Sequence, residues 1–180
     1  SGVFWLANPG IKANRQQAAW QEHAIGAQGR EGMFADVADV NLDGRADVAV
    51  AVKPAEIVVC VREARGVWRE ATLRLDQVNL GDAKAVKVAD VNHDGLPDLL
   101  FTCENAKGER EGIVWLEQQR QGPWLQRPLG GPEGLKYDLM QVLDLDGDGD
   151  LDVITCEERD QLGVVWYENP YAGGKEGRRF

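Results

Sequence analysis

Short apolar runs, each bounded by glycine, proline or charged residues, recur along the whole chain. Most are about five to eight residues long and rich in Val, Leu, Ile and Trp, and none continues into a sustained 3.6-residue period. Runs of this length and composition are typical of β-strands, and the missing helical period predicts few helices. The hydrophobic pattern therefore predicts an all-β protein built from many short strands.

The apolar runs follow one another in a fixed order of four. In one unit, the run 85–90 precedes an acidic loop, 99–102 follows it, 112–116 comes third, and a Trp-containing run, 123–129, comes fourth. Four strands in a unit of about 50 residues are typical of a β-propeller blade, whose strands are antiparallel. The corresponding runs are 33–39, 48–52, 56–61 and 68–73 in the preceding unit, 139–144, 153–155 and 163–167 in the following unit, and 2–9 and 20–25 near the start.

This order predicts a single, partial β-propeller domain over residues 1–180, with about three blades' worth of strands. Propellers typically close with four to eight blades, so three would leave open faces. We therefore expect either an excerpt of a longer propeller or copies that assemble into a ring, with a split blade completed between chains. The predicted parts are 1–30 (the last two strands of one blade), 31–75 (the second blade), 80–130 (the third blade) and 133–170 (the first three strands of a fourth).

An acidic loop separates the first and second runs of each unit. Residues 144–152 read DLDGDGDLD, and the same D-x-[DN]-x-D-G-x-x-D pattern begins at Asp39 and Asp90, so the loops recur at intervals of 51 and 54 residues. A solvated turn of Gly and Asp is the alternative for any single loop. Alternate carboxylates that would repel one another instead suit Ca²⁺, which takes six to eight oxygen ligands. The threefold recurrence favours a metal site over a bare turn.

An EF-hand would be a different calcium loop, and the sequence argues against it. An EF-hand needs a glutamate at loop position 12 and a helix on each side. Position 12 is Val50, Phe101 or Thr155 in these loops, and predicted strands flank each one. The loops are therefore expected to lie between the first and second strands of a blade.

The three loops and their spacing resemble the FG-GAP/VCBS repeats of β-propellers, which occur in integrin α-subunit heads and in many secreted bacterial proteins. The resemblance covers nearly all of residues 1–180. It implies that side-chain oxygens at loop positions 1, 3, 5 and 9, and the backbone carbonyl at position 7, bind up to three Ca²⁺ ions. The implied ligands are Asp39, Asn41, Asp43, the Arg45 carbonyl and Asp47 in the first loop; Asp90, Asn92, Asp94, the Leu96 carbonyl and Asp98 in the second; and Asp144, Asp146, Asp148, the Asp150 carbonyl and Asp152 in the third.

Composition agrees with a calcium-binding protein that acts outside the cytosol. The formal net charge is −10, and all proposed side-chain ligands are oxygens, which favours Ca²⁺ over zinc or copper. An acidic chain without a basic stripe argues against nucleic acid as a partner, and no apolar run is long enough for a membrane span. Loops with three or four carboxylates resemble those of extracellular modules, so we expect a secreted, periplasmic or cell-surface location.

The six tryptophans recur at two strand positions, which favours packing between blades over ligand binding. Stacking on a sugar, or a place on a protein-binding face, is the alternative, because Trp suits both uses. The recurring sets are Trp5, Trp115 and Trp166 at one position, and Trp20, Trp68 and Trp124 at the other.

Enzymatic activity is left uncertain, with the balance against it. The sequence has no nucleophile elbow, zinc-protease motif, P-loop or Cys/His cluster, and two histidines allow little acid–base chemistry. Three functions stay open: a calcium-stabilised interaction or scaffold module, a carbohydrate-binding (lectin-like) module, and part of a sugar-processing enzyme such as a ulose dehydratase. The expected partner is a protein or a glycan.

Overall fold

The computed structural model describes residues 1–12, 18–75, 80–108, 110–130, 136–159 and 163–169. Thirteen β-strands form four antiparallel sheets in these residues, which confirms the predicted all-β fold class. The predicted unit 133–170 begins and ends at residues outside the described part of the chain. No helix in that part is long and apolar enough to cross a membrane. The strands are β1 (Val3–Ala7), β2 (Gln21–Gly26), β3 (Gly32–Ala38), β4 (Asp47–Val52), β5 (Glu56–Arg62), β6 (Trp68–Arg74), β7 (Asp82–Ala89), β8 (Asp98–Glu104), β9 (Ile113–Glu117), β10 (Leu125–Gly130), β11 (Tyr137–Leu143), β12 (Asp152–Glu157) and β13 (Gly163–Tyr167).

Each sheet is a simple meander in which consecutive strands pair. The orders are β1-β2, β3-β4-β5-β6, β7-β8-β9-β10 and β11-β12-β13. The second strands of the two four-stranded sheets, β4 and β8, are buried along their whole length. Their apolar runs show no polar alternation because neighbouring sheets cover both faces.

The sheets pack face to face in chain order. One apolar cluster joins the β3–β6 sheet to the β7–β10 sheet, with Ile57 and Val59 on one side and Val86 and Phe101 on the other. Smaller clusters join the first sheet to the second and the third to the last. The first strands β3, β7 and β11 contact one another in succession. Equivalent loops of successive units therefore follow the same end of these strands.

A recurring side-chain amide ties each of the last two sheets to the loop of the sheet before it. Gln118 follows β9 and donates from Nε2 to the Val40 carbonyl at 3.1 Å. Asn169 follows β13 and donates from Nδ2 to the Val91 carbonyl at 3.0 Å. Val40 and Val91 both occupy position 2 of their acidic loops. We call this contact the amide latch, and it fixes the acidic loops relative to the neighbouring sheet.

A charged network crosses three sheets beside the first strands. Glu104, at the end of β8, is 7 % exposed and pairs with Lys53, which follows β4, and with Lys84 of β7 at 3.1 Å. Lys84 also lies 3.5 Å from Asp138 of β11. The hydrogen bond from Lys53, together with Lys84, outweighs desolvation and holds the pKa of Glu104 below its ordinary value.

Glu104→Gln should cost about 1–3 kcal/mol of stability at pH 7, because a buried charge-assisted hydrogen bond is lost. Since the pKa of Glu104 is lowered, the ionised carboxylate stabilises the fold above the ordinary glutamate pKa of about 4.3. That stabilisation is lost as the pH falls through the lowered pKa, so the difference between variant and parent should shrink as the solution is acidified below the ordinary glutamate pKa. Denaturant unfolding at several pH values measures it.

Glu63→Gln is the control for this change. Glu63 pairs with Arg69 on the surface, where both side chains are exposed, and such pairs contribute little. A pH-independent cost at Glu104, or an equal cost at Glu63, would contradict the assignment.

Candidate metal centre

The three acidic loops occupy the same place in their sheets. Residues 39–47 join β3 to β4, residues 90–98 join β7 to β8, and residues 144–152 join β11 to β12. Each loop therefore connects the first and second strands of its sheet, where the sequence predicted it. Five positions of each loop, 1, 3, 5, 7 and 9, carry the predicted ligands.

The aspartate at position 1 closes the turn of its loop. The Asp39 carboxylate accepts hydrogen bonds from the backbone N–H groups of Asp43 at 3.0 Å and Gly44 at 2.7 Å. Short Asp side chains often bond to backbone a few residues ahead in this way. In the second loop Asp94 and Gly95 donate to Asp90 in the same way. In the third loop the donors to Asp144 are Gly149, the equivalent of Gly44, and Gly147, one position earlier than Asp43.

Positions 3 and 5 continue the same pattern. Asn41 Oδ1 accepts from the Asp43 N–H at 3.1 Å, and Asp43 Oδ1 accepts from the Arg45 N–H at 3.0 Å. All three loops thus share this hydrogen-bond pattern at positions 3 and 5. The corresponding pairs are Asn92 with Asp94 and Asp94 with Leu96 in the second loop, and Asp146 with Asp148 and Asp148 with Asp150 in the third.

The carboxylates of the third loop converge on one point. Asp144, Asp146 and Asp148 each present an oxygen within 4.8 Å of the others, and all three are exposed. In the other two loops an asparagine replaces the middle carboxylate and donates to position 5: Asn41 to Asp43 at 3.0 Å, and Asn92 to Asp94 at 3.4 Å. The side chains at positions 3 and 5 are thus brought together in the first two loops, whereas the third loop brings together three carboxylates.

Asp150 strengthens the case for a cation at the third loop. Its side chain is 2 % exposed, and neither carboxylate oxygen has a hydrogen-bond partner. Burial, and then the neighbouring Asp148, Asp152 and Asp146, raise the pKa of Asp150 to about 6. A buried carboxylate without a donor is costly unless a positive charge compensates it. The oxygen-only donor set of this loop therefore fits Ca²⁺.

The first loop carries its own positive charge. Arg45 Nη2 lies 2.5 Å from Asp43 Oδ2, and Arg45 Nε donates to the Arg62 carbonyl at 2.8 Å. Although desolvation opposes it, hydrogen bonds from Asn41 and Arg45 and the Arg45 charge keep the pKa of Asp43 below its ordinary value. The guanidinium thus neutralises a carboxylate that a metal ion would also use, which opposes cation binding at this loop.

The aspartate at position 9 differs from the other predicted ligands, because it is buried and bonded to two separate backbone segments. Asp47 is fully buried and accepts from the Val40 N–H at 3.1 Å and from the Arg62 N–H at 2.7 Å. These contacts join position 2 of the loop to the end of the third strand. We call this pair of bonds the aspartate staple. Asp152 repeats it with Leu145 and Asn169. Asp98 makes the equivalent bond to the third strand, accepting from the Gln118 N–H at 2.8 Å, whereas its buried Oδ2 has no hydrogen-bond partner.

The Asp98 carboxylate of the second loop is fully buried. Burial raises its pKa to about 7, although the nearby Gln118 N–H, Trp115 indole and Val91 N–H favour the ionised form. The position-9 carboxylates are thus committed first to the fold. An N–H donor uses only one of the two lone pairs on a carboxylate oxygen, so a stapled aspartate can still bind a metal ion through the other.

The backbone conformation at loop position 4 was not predicted from the sequence. Leu42, His93 and Gly147 all have φ near +60 to +80°, at 60°, 56° and 82°. Only glycine adopts this region without steric cost. Gly147, at position 4 of the third loop, was the one sequence signal of this positive φ. Because glycine adopts it without steric cost, the backbone of the third loop is the least strained of the three at this position. The side chain of Asp150 was also missed, because its position predicted only a carbonyl ligand.

Comparison with known proteins agrees with this geometry. The FG-GAP-like repeat matches the chain twice, over residues 39–101 and 90–155. Each match begins at the first aspartate of an acidic loop and extends past the next loop. No curated protein matches the chain significantly. Because the two matches together span more than half of its length, the chain belongs to the FG-GAP-like repeat family.

Proposed function

We propose that this chain is a calcium-binding β-propeller module that serves as an extracellular interaction or scaffold domain. The observation that carries the proposal is the convergence of Asp144, Asp146 and Asp148 beside the buried, partnerless carboxylate of Asp150. Four negative charges in one short loop need a cation, and the donors are all hard oxygens.

Calcium is preferred over magnesium on the chemistry of the donors. Ca²⁺ accepts six to eight oxygens in a flexible arrangement, which suits a loop with several carboxylates and a carbonyl. Mg²⁺ demands a tighter octahedron and retains its waters. When bound, the ion would supply positive charge to the clustered carboxylates. The proposed ligands are those that the resemblance implied, with the Asp150 side chain as an additional candidate.

The location follows from the expected affinity. Loops of this charge resemble extracellular sites with dissociation constants of about 10⁻⁴–10⁻³ M or somewhat tighter, which fill outside the cell. Sub-micromolar affinity at all three loops would argue against this location. The sites are thus proposed to be structural, and to hold the first and second strands of each blade in place.

The surface supports an interaction role. Trp5, Trp20 and Trp166 are each more than two fifths exposed, whereas Trp115, the equivalent of Trp5 and Trp166, is buried between sheets. Exposed aromatic residues are enriched in protein-binding surfaces, so a protein ligand is our first candidate.

A glycan is the second candidate partner. Trp5 stacks on His23 with ring centroids 4.4 Å apart and planes at 15°, which presents a flat aromatic surface. Such a surface suits the apolar face of a sugar. A glycan array decides between the two: no binding to any sugar leaves the protein ligand, and sugar binding lost in Trp5→Ala establishes the second candidate.

The three loops should differ in calcium affinity, in the order third, second, first. The third has the largest carboxylate charge and a glycine at position 4, whereas Arg45 already neutralises Asp43 in the first. Pro97 stiffens the second loop and recovers part of its deficit. Asp144→Ala should therefore remove the tightest site from a calorimetric calcium titration, and Asp39→Ala the weakest.

The same titration contains its own control. Calcium that binds with three equal constants, or an Asp144→Ala variant that loses no more affinity than Asp39→Ala, would show that ligand charge does not set the order. No calcium uptake by the parent chain would overturn the proposed metal function itself.

A further inference from the structure

A cleft of about 270 Å³ lies between the β3–β6 and β7–β10 sheets, beside the first acidic loop. Val59 and Val61 of β5 and Ala71 of β6 form part of one wall, and Trp124, just before β10, forms part of the other. Both sheets have the four strands of a whole unit, so each wall is complete. We call this space the junction cleft.

The same place in the next junction is filled by larger side chains. The strand registers make Trp115 and Glu117 of β9 the equivalents of Val59 and Val61 of β5. Trp115 is buried in the cluster that joins its sheet to the last sheet, and Glu117 is also buried. An indole ring and a carboxylate thus take up the room that two valines leave open in the first junction.

Two donors hold the carboxylate in the next junction. Glu117 Oε2 lies 2.5 Å from Arg127 Nε, and Glu117 Oε1 accepts from Asn92 Nδ2 at 3.3 Å. Asn92 stands at position 3 of its acidic loop, and its Nδ2 also donates to Asp94 at 3.4 Å. The two N–H groups of this amide therefore serve two acceptors, one within the loop and one at the end of the third strand.

The first junction keeps the donors but lacks the acceptor. Asn41 Nδ2 donates one N–H to Asp43 at 3.0 Å, and its other N–H has no acceptor among the described residues. Arg69 lies directly opposite Val61 in the β5-β6 pair and lines the junction cleft. Its Nε donates to Glu63 at the exposed surface, which leaves both Nη groups for a second carboxylate. The cleft therefore offers hydrogen-bond donors beside apolar walls.

We propose that the junction cleft binds a small aromatic carboxylate from solution. The ring takes the room that Trp115 fills in the next junction, and the carboxylate accepts from Asn41 and Arg69 as Glu117 accepts from its two donors. A single ring suits the cleft, because drug-sized ligands need about 300–1,000 Å³. A pyranose suits it less well, because hydroxyl groups against valine and alanine walls would lack partners.

Calorimetric titration of the full chain with phenylacetate, in EDTA, tests the site. We expect one molecule to bind per chain with a Kd of about 1 mM or tighter, as for a well-placed ligand of this size. Phenylacetamide has the same shape without the charge. It should bind about tenfold more weakly, because hydrogen bonds to a charged acceptor are stronger.

Two variants locate the binding in the junction cleft. Arg69→Gln should weaken phenylacetate binding about tenfold and leave phenylacetamide binding unchanged, because only the charge-assisted bonds are lost. Val61→Glu supplies the carboxylate that Glu117 provides in the next junction, so it should abolish phenylacetate binding. Arg74→Gln is the matched control, since Arg74 is an exposed arginine of the same strand that pairs with Glu56 outside the cleft. Circular dichroism checks that the variants fold, and Arg69→Gln changes only an exposed side chain.

Any of three results overturns the inference. One is no binding of phenylacetate at about tenfold above the expected Kd. Another is equal binding of phenylacetate and phenylacetamide, or an equal effect of Arg69→Gln and Arg74→Gln, which would indicate an apolar cleft without a carboxylate site. The third is tighter binding of glucuronate than of phenylacetate, which would make the ligand a sugar. Because the titrations are carried out in EDTA, their outcome does not depend on the proposed calcium sites.

Discussion

Replacing Asp47 by alanine should lower the free energy of unfolding by about 2–5 kcal/mol even without calcium. The buried Asp47 carboxylate accepts the N–H groups of Val40 and Arg62, and alanine leaves both without an acceptor. Each unsatisfied buried donor costs about 1–3 kcal/mol. Denaturant unfolding in EDTA measures the effect, since chelation removes any contribution from bound metal.

Asp43→Ala in the same loop is the matched control. Asp43 is an exposed predicted ligand that bonds to the N–H and guanidinium of Arg45. Its removal should cost less than about 1 kcal/mol in EDTA, because the freed groups can turn to water. In calcium both variants should be destabilised. If Asp47→Ala costs no more than Asp43→Ala in EDTA, the staple does not hold the fold, and position 9 acts through the metal alone.

Removing calcium from the parent chain should lower its melting temperature by about 5–10 °C for each site that had been saturated. A ligand at a hundredfold excess over Kd that binds only the folded state stabilises it by about 2.7 kcal/mol. For a chain of this size, 1 kcal/mol shifts Tm by about 2–4 °C. Without the ion, the clustered Asp144, Asp146 and Asp148 also repel one another. Differential scanning calorimetry with and without EDTA measures the change.

Magnesium and a loop variant provide the controls for the calcium effect. Added Mg²⁺ should restore the melting temperature poorly, because its octahedral geometry tolerates this donor set less well. Asp144→Ala should respond less to EDTA than the parent does, since the site with the largest charge is already lost. A melting curve that EDTA does not change would exclude a structural role for calcium.

The strand pattern was predictable because each strand is short, apolar and bounded by strong turn residues. The predicted run 163–167 coincides with β13, and 56–61 differs from β5 by one residue. The threefold recurrence fixed the order of the runs, which a single unit would not have done. Local composition was therefore enough to predict both the fold class and the place of the acidic loops within the sheets.

The aspartate staple was not predictable, because position 9 reads in the sequence as one more ligand. Its burial depends on a backbone N–H that lies 15 to 20 residues later, at Arg62 or Gln118, and that comes near only when the third strand pairs. The isolation of the Asp150 side chain likewise depends on packing. Alternating carboxylates predict that the loop can bind a metal ion. Which carboxylates bind the metal and which bond to the backbone depends on tertiary packing.

The amide latch has a consequence for how such proteins change over time. The β7–β10 unit supplies both halves of this contact: the Val91 carbonyl accepts from Asn169 of the following sheet, and the Gln118 amide donates to Val40 of the preceding one. A duplicated unit of this kind arrives with both halves of its junction and needs no compensating mutations elsewhere. Gain or loss of whole units is therefore an accessible evolutionary step, and the number of sheets is free to vary while the junction stays the same.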